Sequence, residues 1–208
     1  GPPGENLNVL KDILTQAYLQ PNTIGEATQY LVNELFGRYG LIVLDPDAAE
    51  LKKQIIPILK DDLQNHMAYV LVNDHVDTLE EQYKVQAYPR MINIFYLRDD
   101  IRERIEKRNG KWRVLMAELE GHPERFSPNV ILRGIFQESI LPDVAFIGGG
   151  AEVAYWLELK PVFENYKVFY PVVLLRQSVL WMPAQYNKLR QQLHFSIEEI
   201  FRSESSLI

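Results

Sequence analysis

Apolar residues recur with helical spacing along the first part of the chain. A helix whose apolar face includes Leu7 and Leu14 is predicted to end near Pro21. Thr23 stands three residues before Glu26, which is the spacing of a capping box, and this pair predicts the start of a second helix. The chain therefore opens with two predicted helices.

Apolar runs without alternation then predict strands that are buried on both faces of a parallel sheet. These runs are 41–44 (LIVL), 144–147 (VAFI) and 170–175 (YPVVLL). Between 47 and 81 the spacing of apolar residues is helical, in two pieces, with a kink or a stop at Pro57. Strands that alternate with helices indicate an α/β fold.

Three consecutive glycines follow the second of these runs. Gly148, Gly149 and Gly150 separate the strand from an amphipathic segment that starts at Ala151, so the pattern is strand, tight turn and helix. Residues without a Cβ allow close approach and positive φ, and N–H groups at a helix start can face an anion. The spacing matches neither G-x-G-x-x-G nor a phosphate-binding lysine loop. Two interpretations stay open: a ligand site, or a turn that only joins two elements.

The segment 83–115 is rich in strand signals. Strands are predicted at 83–87 and 91–97, and a hairpin at about 102–115 is predicted from the pair Asn109-Gly110, which suits a type I′ turn. Its alternating charges are typical of a solvated face. We expect this hairpin to be appended to the core.

The remaining elements are helical. Ser127 and Pro128 predict a helix start, with Ser as the N-cap and Pro at the first helical position. A helix is predicted over 184–193, and the pair Ser196 and Glu199 predicts a last short one. Taken together, the patterns predict one α/β domain over 1–208.

Composition narrows the function classes. The 208 residues carry 22 basic and 28 acidic side chains, a net charge of −6, and 47% of them are apolar. An acidic domain without a basic stripe argues against nucleic acid as a partner. The absence of cysteine excludes disulfides and thiolate metal sites, and we expect no metal. No apolar run approaches the roughly 20 residues that span a bilayer, and the polar start GPPGEN does not resemble a signal peptide, so we expect a cytoplasmic protein without membrane contact.

Candidate binding residues come from topology, because no known catalytic motif is present and the catalytic residues stay unassigned. Side chains at the carboxyl ends of strands converge on the crevice of an open α/β sheet. Glu152 could accept a hydrogen bond from a hydroxyl or amine, or only interact with the helix dipole. Arg176 could bind a carboxylate, or pair with an acid of the chain. Asp45 could face a ligand or cap the next helix. The full set of candidates is Asp45, Arg133, Gln137, Gly148, Gly149, Gly150, Glu152, Arg176 and Ser178.

Three long segments carry a resemblance to a known family. They are 22–53 (NTIGEATQYLVNELFGRYGLIVLDPDAAELKK), 125–164 (RFSPNVILRGIFQESILPDVAFIGGGAEVAYWLELKPVFE) and 170–180 (YPVVLLRQSVL). They resemble the bacillithiol-biosynthesis cysteine-adding enzymes, the BshC family, and the likeness covers nearly the whole chain. The resemblance implies a Rossmann-like three-layer core with a mainly parallel sheet, helical insertions and a dimerising C-terminal coiled coil.

The resemblance also implies a reaction: a ligase forms a C–N bond by adding L-cysteine to glucosaminyl-malate. Family members are more than twice as long, so we expect a central fragment that is incomplete and inactive alone. In that interpretation 41–81 and 128–180 are core βα units, 83–115 is an insertion and 183–208 begins the C-terminal helical region. The full-length protein is expected to be a homodimer.

Amide formation from a carboxylate normally needs activation, so ATP is a chemical expectation that no residue proves. Two alternatives stay open beside the ligase. One is a structural or dimerising α/β segment that supports a site built elsewhere. The other is a nucleotide-sugar-binding, glycosyltransferase-like domain, although no carboxylate pair typical of metal–nucleotide binding is present.

Overall fold

The structure is a computed structural model, and it describes residues 4, 6–20, 23–81, 83–98, 101–106 and 112–206. The chain divides into two compact units, Gly1–Leu174 and Leu175–Ile208. Each unit is described by itself. In the described ranges, no helix combines the length and the apolarity that crossing a bilayer requires.

Two helices open the first unit, as predicted. Helix α1 spans Leu7–Leu19 and helix α2 spans Ile24–Phe36, and the two pack against each other. The capping box is confirmed, because the Glu26 amide donates to Thr23 and the Thr23 amide donates to Glu26. A short 3₁₀ turn, Gly37–Tyr39, follows.

The predicted strand 41–44 is wrong. These residues form no strand, and three of the four side chains are exposed. A strand needs a partner for its N–H and C=O groups, and no described segment pairs with this one. The apolar run therefore lies on the surface.

Helical structure fills most of 47–81, in more pieces than predicted. Helix α3 (Ala49–Lys52) continues through a 3₁₀ turn into α4 (Ile56–Gln64), and α5 covers Met67–Leu79. Pro57 lies in the first turn of α4 and thus begins this helix, because the missing N–H costs nothing there.

The larger sheet is antiparallel, which corrects the expected mainly parallel sheet. Strand β1 (Ile94–Arg98) pairs with β2 (Ile101–Arg104) on one side and with β3 (Phe126–Pro128) on the other. A hairpin therefore exists, but it is formed by β1 and β2.

The predicted second strand of the 102–115 hairpin is instead the start of helix α6 (Trp112–Gly121). Leu115 and Leu119 lie four apart, and Leu119 is fully buried in the core, so helical spacing prevails over the apparent alternation. The predicted Asn109-Gly110 turn lies outside the described residues.

Helix α7 (Val130–Ile140) begins later than predicted. Asn129 caps it, since its Oδ1 accepts a hydrogen bond from the Ile131 amide at 2.9 Å, while Ser127 and Pro128 belong to β3. Asn129 Nδ2 donates to Asn93 Oδ1, and the Asn93 amide and Nδ2 donate to the buried Asp62 carboxylate at 2.6 and 3.0 Å. This chain of hydrogen bonds, the Asp62 network, connects α4 and the residue before β1 to the start of α7.

The glycine-containing unit has the predicted order of elements. Strand β4 (Ala145–Gly148) leads into α8 (Gly150–Tyr166), and β5 (Val172–Leu175) pairs with β4. Trp156 of α8 is buried and stacks on Phe146 of β4, with ring centroids 4.1 Å apart. Tyr170 donates to the Trp156 carbonyl, and burial raises the pKa of its phenol to about 12. The aromatic cluster fixes α8 on one face of the β4–β5 pair.

The predicted strand 83–87 is also wrong. The Gln86 and Ala87 amides donate to the two oxygens of Glu158 on α8, at 2.8 and 3.2 Å. A buried carboxylate thus takes the place of a neighbouring strand, and 84–90 stays irregular.

In the second unit, helix α9 covers Ala184–Gln192 and agrees with the predicted helix. The Glu199 amide donates to Ser196 and the Ser196 amide donates to Glu199, which confirms the capping pair. The element that follows is a single 3₁₀ turn, Glu199–Phe201.

Candidate functional site

The glycine turn is built around a carboxylate of its own helix. The Gly149 amide donates to Glu152 Oε2 at 2.7 Å, so this acid caps the start of α8. Oε1 of the half-buried Glu152 has no hydrogen-bond partner among the described residues. A carboxylate at this place disfavours an anion beside it and leaves an acceptor for a hydroxyl or amine.

The three glycines serve different purposes. A Cβ on Gly148 would lie 2.7 Å from Phe146 Cε1 and 3.0 Å from Glu152 Cβ, so packing alone requires glycine there. A Cβ on Gly150 would meet nothing within 4 Å. The positive φ that glycine allows is not used in this turn: the φ of Gly149 is −68°, and among the described glycines only Gly40 is left-handed. Packing therefore does not explain why position 150 is a glycine.

Arg133 lies on the neighbouring helix and shares an electrostatic environment with Glu152. Burial raises the pKa of the Tyr155 phenol, the Glu152 carboxylate raises it further, and the Arg133 guanidinium opposes them. Arg133 is exposed and makes no ion pair with any residue the structure describes. Glu152 and Arg133 thus act on the Tyr155 phenol with opposite sign, and neither forms an ion pair with a described residue.

Gln137 lies one helical turn beyond Arg133, but its amide is engaged. Its Nε2 donates to Asp143 Oδ2 at 3.0 Å and to Glu138 Oε1 at 3.3 Å. Glu138 is buried, and burial raises the pKa of its carboxyl. Gln137 therefore stabilises the turn after α7.

Arg133 also lines a cleft. The other residues that line this cleft were not predicted from the sequence. This basic cleft has a volume of about 340 Å³ and is lined by Pro46, Asp47, Lys52, Leu97, Arg102, Ser127, Pro128, Arg133 and Phe136. Lys52 is completely buried, and its Nζ donates to Asp47 Oδ1 at 2.5 Å and to the Glu124 carbonyl at 3.1 Å. Burial lowers the pKa of Lys52, and Asp47 opposes that shift. No sequence signal marks this lysine, because a Lys in a polar helical stretch is normally exposed.

Asp45 does not cap α3 as one prediction had it. The N-cap is Ala48, and Asp45 Oδ1 accepts from the Asp47 amide at 2.9 Å in a local turn. Asp45 is exposed and lines a separate depression of about 650 Å³ beside the start of α2.

Arg176 and Ser178 follow β5 and belong to the second unit, where both are exposed. Their role in binding stays a prediction. Within the part of the chain that the structure describes, no three His, Asp or Glu side chains lie close enough together to hold a metal ion.

Comparison with known proteins gives a family match over most of the chain. Residues 2–177 match the family model described as bacillithiol biosynthesis BshC, N-terminal Rossmann-like domain. This Rossmann-like assignment agrees with the βαβ order of the β4–α8–β5 unit.

Curated relatives support the same family. A protein of Flavobacterium johnsoniae, named as a candidate cysteine ligase BshC, is 41% identical over 98% of this chain. A relative with the same name from Christiangramia forsetii is 41% identical over 99% of it, and one from Shouchella clausii is 32% identical over 87%. The aligned part makes up 40% of each of the first two relatives and 36% of the third, so the chain spans about two-fifths of their length.

Proposed function

The chain belongs to the BshC family, and from this premise we propose that it is part of a cysteine ligase of bacillithiol biosynthesis. The reaction joins the carboxyl group of L-cysteine to the amino group of glucosaminyl-malate and forms an amide. Because the chain spans two-fifths of its relatives, we assign this activity to the longer protein and expect the chain alone to be inactive.

The unpartnered Oε1 of Glu152, beside the open position at Gly150, is the observation that carries the proposal. The free Oε1 of Glu152 suits a sugar hydroxyl or the amine that is to be acylated. The Arg133 guanidinium suits a carboxylate of malate or of cysteine, since its fork matches that group bidentately. Arg176 is the other candidate for a carboxylate.

The open position at Gly150 supports the same assignment. Nothing lies within 4 Å of where its Cβ would be, so a ligand has room against the start of α8. Gly148 and Gly149 shape the turn, and Ser178 and Asp45 remain candidates for further polar contacts. We expect ATP to activate the carboxylate, and we expect the full-length protein to be a cytoplasmic homodimer.

A titration of the full-length protein with glucosaminyl-malate tests this proposal. Gly150→Val fills the open position, and we expect it to weaken binding at least tenfold. Glu152→Gln keeps an oxygen for the Gly149 amide but puts an NH2 group where the free acceptor oxygen was, so it too should weaken binding. Lys160→Gln, an exposed change near the other end of α8, is the control. Wild-type affinity in the Gly150→Val variant, with the fold retained, would remove the glycine turn from the site.

A second candidate is a supporting segment for a site built elsewhere in the longer protein. The capping role of Glu152 and the exposed apolar side chains of Val144, Ile147 and Val172 favour it. A ligand that binds only the folded protein raises its melting temperature. A shift with glucosaminyl-malate that Gly150→Val abolishes supports the ligase site, whereas no shift in the chain alone supports the second candidate.

A further inference from the structure

The basic cleft is positively charged within an acidic chain. Lys52, Arg102 and Arg133 line it, and among the described residues that line it Asp47 is the only acid, although the chain carries a net charge of −6. Asp45 and Glu124 also act electrostatically on Lys52 from nearby. Its volume of about 340 Å³ lies within the range of small-ligand sites.

Lys52 forms the fixed floor of the cleft. Its ammonium group has three protons, of which Asp47 and the Glu124 carbonyl engage two. The third has no acceptor among the described residues. The Lys52 side chain has no exposed surface, so it acts on the cleft through the charge of its fixed ammonium group and not through direct contact.

Arg102 is oriented by an aromatic ring and not by an acid. Its guanidinium carbon lies 3.7 Å from the centroid of the Phe95 ring on β1. Neither Arg102 nor Arg133 forms an ion pair with a described residue, so both forks are available to a ligand. The three cations come from α3, β2 and α7, which are three separate elements.

We propose that this cleft binds a polyphosphate group, either free pyrophosphate or the phosphate chain of a nucleoside triphosphate. One carboxylate can engage only one of the guanidinium forks. A polyphosphate carries several charged oxygens along its length and can contact both exposed forks at once, above the charge of the buried Lys52. Excess positive charge and unpaired forks are the features that such a ligand satisfies.

This assignment deepens the proposed function and, for ATP, rests on it. A carboxylate that ATP activates must lie next to the reacting phosphate. Arg133 lines the cleft and lies on α7, which packs against α8, the helix that carries Glu152, so the two proposed binding regions involve neighbouring helices. Binding of pyrophosphate itself does not depend on the ligase reaction.

Isothermal titration of the protein with sodium pyrophosphate, at constant ionic strength, tests the cleft. We expect saturable binding with one site per chain, weakened tenfold or more by Arg102→Gln. Arg102 is exposed, so its loss leaves the core unchanged. The control is Arg90→Gln, which removes the same charge from an exposed residue outside the cleft and should leave the affinity unchanged. Parallel titrations use ATP, L-malate and acetate.

Three outcomes would overturn the proposal: no saturable binding of pyrophosphate up to about 10 mM, equal affinity in the Arg102→Gln and Arg90→Gln variants, or L-malate binding as tightly as pyrophosphate. The last result would assign the cleft to a dicarboxylate. A protein that binds pyrophosphate as expected, but whose affinity for glucosaminyl-malate is unchanged by Gly150→Val, would refute the proposed substrate site and leave the polyphosphate site intact.

Discussion

The Asp62 network makes stability depend on pH in a direction that can be calculated. Asp62 is fully buried, and burial raises the pKa of its carboxyl from 3.8 to about 6, against the opposing effect of two hydrogen bonds from Asn93. The folded protein therefore holds a proton at Asp62 between about pH 4 and pH 6, where the unfolded chain has released it. Stability from this group is complete below pH 4 and is lost as the pH rises through 6.

The size of this effect follows from the shift. About two pKa units at about 1.36 kcal/mol each correspond to about 3 kcal/mol of unfolding free energy. Urea denaturation of the wild type and of Asp62→Asn, at intervals from pH 4 to pH 8, measures it. We expect the stability advantage of the wild type over the variant to shrink by about 3 kcal/mol across that range.

The comparison between variants isolates Asp62. Glu138 and Glu158, whose pKa values burial also raises, are present in both proteins, so their contributions cancel. Asp74→Asn removes an equal charge from an exposed position of α5 and corrects for the change in net charge. A difference that stays flat, or that grows with pH, would show that hydrogen bonding and not burial governs this carboxyl.

Other substitutions test the packing of single groups. Gly148→Ala should lower the free energy of unfolding by about 1–3 kcal/mol, because Phe146 must move. Gly150→Ala should leave this free energy unchanged or raise it by up to about 1 kcal/mol. Thermal denaturation without ligand measures both, and equal effects would contradict the difference in packing. Glu158→Gln keeps one oxygen acceptor for the amides of Gln86 and Ala87, of which the second is buried, and should cost about 1–3 kcal/mol. Hydrogen exchange at Ala87 should be faster in this variant, and unchanged exchange would be the contrary result. Asn129→Ala removes the cap of α7 and should cost about 0.5–2 kcal/mol by urea denaturation; a loss below that range would mean that water replaces the cap.

Elements defined by local signals were predictable from the sequence. The capping pair Thr23 and Glu26 places the start of α2, and the glycines after an apolar run place the junction of β4 and α8. Both signals act within a few residues, so sequence spacing contains the information. Helix α6 was missed because its first residues fit strand and helix periods alike, and only the burial of Leu119 decides between them.

Features that depend on distant partners were not predictable. The run 41–44 is apolar enough for a strand, but a strand also needs a neighbour, which pattern does not reveal. The candidate site shows the same division: the glycine turn was visible in the sequence, whereas the basic cleft was not. Lys52 is held by the carbonyl of Glu124, which lies 72 residues away in the chain.

The contact between Glu158 and the amides of Gln86 and Ala87 has a consequence for mutational tolerance. Glu158 lies 72 residues from Gln86 and 71 residues from Ala87, so the conformation of the 86–87 segment depends on a helix far along the chain. In a saturation mutagenesis screen, position 158 should be intolerant of substitution while its exposed neighbours Leu157 and Lys160 accept many residues. The substitutions permitted at position 158 of α8 would then be determined by residues 86 and 87, whose amides Glu158 binds.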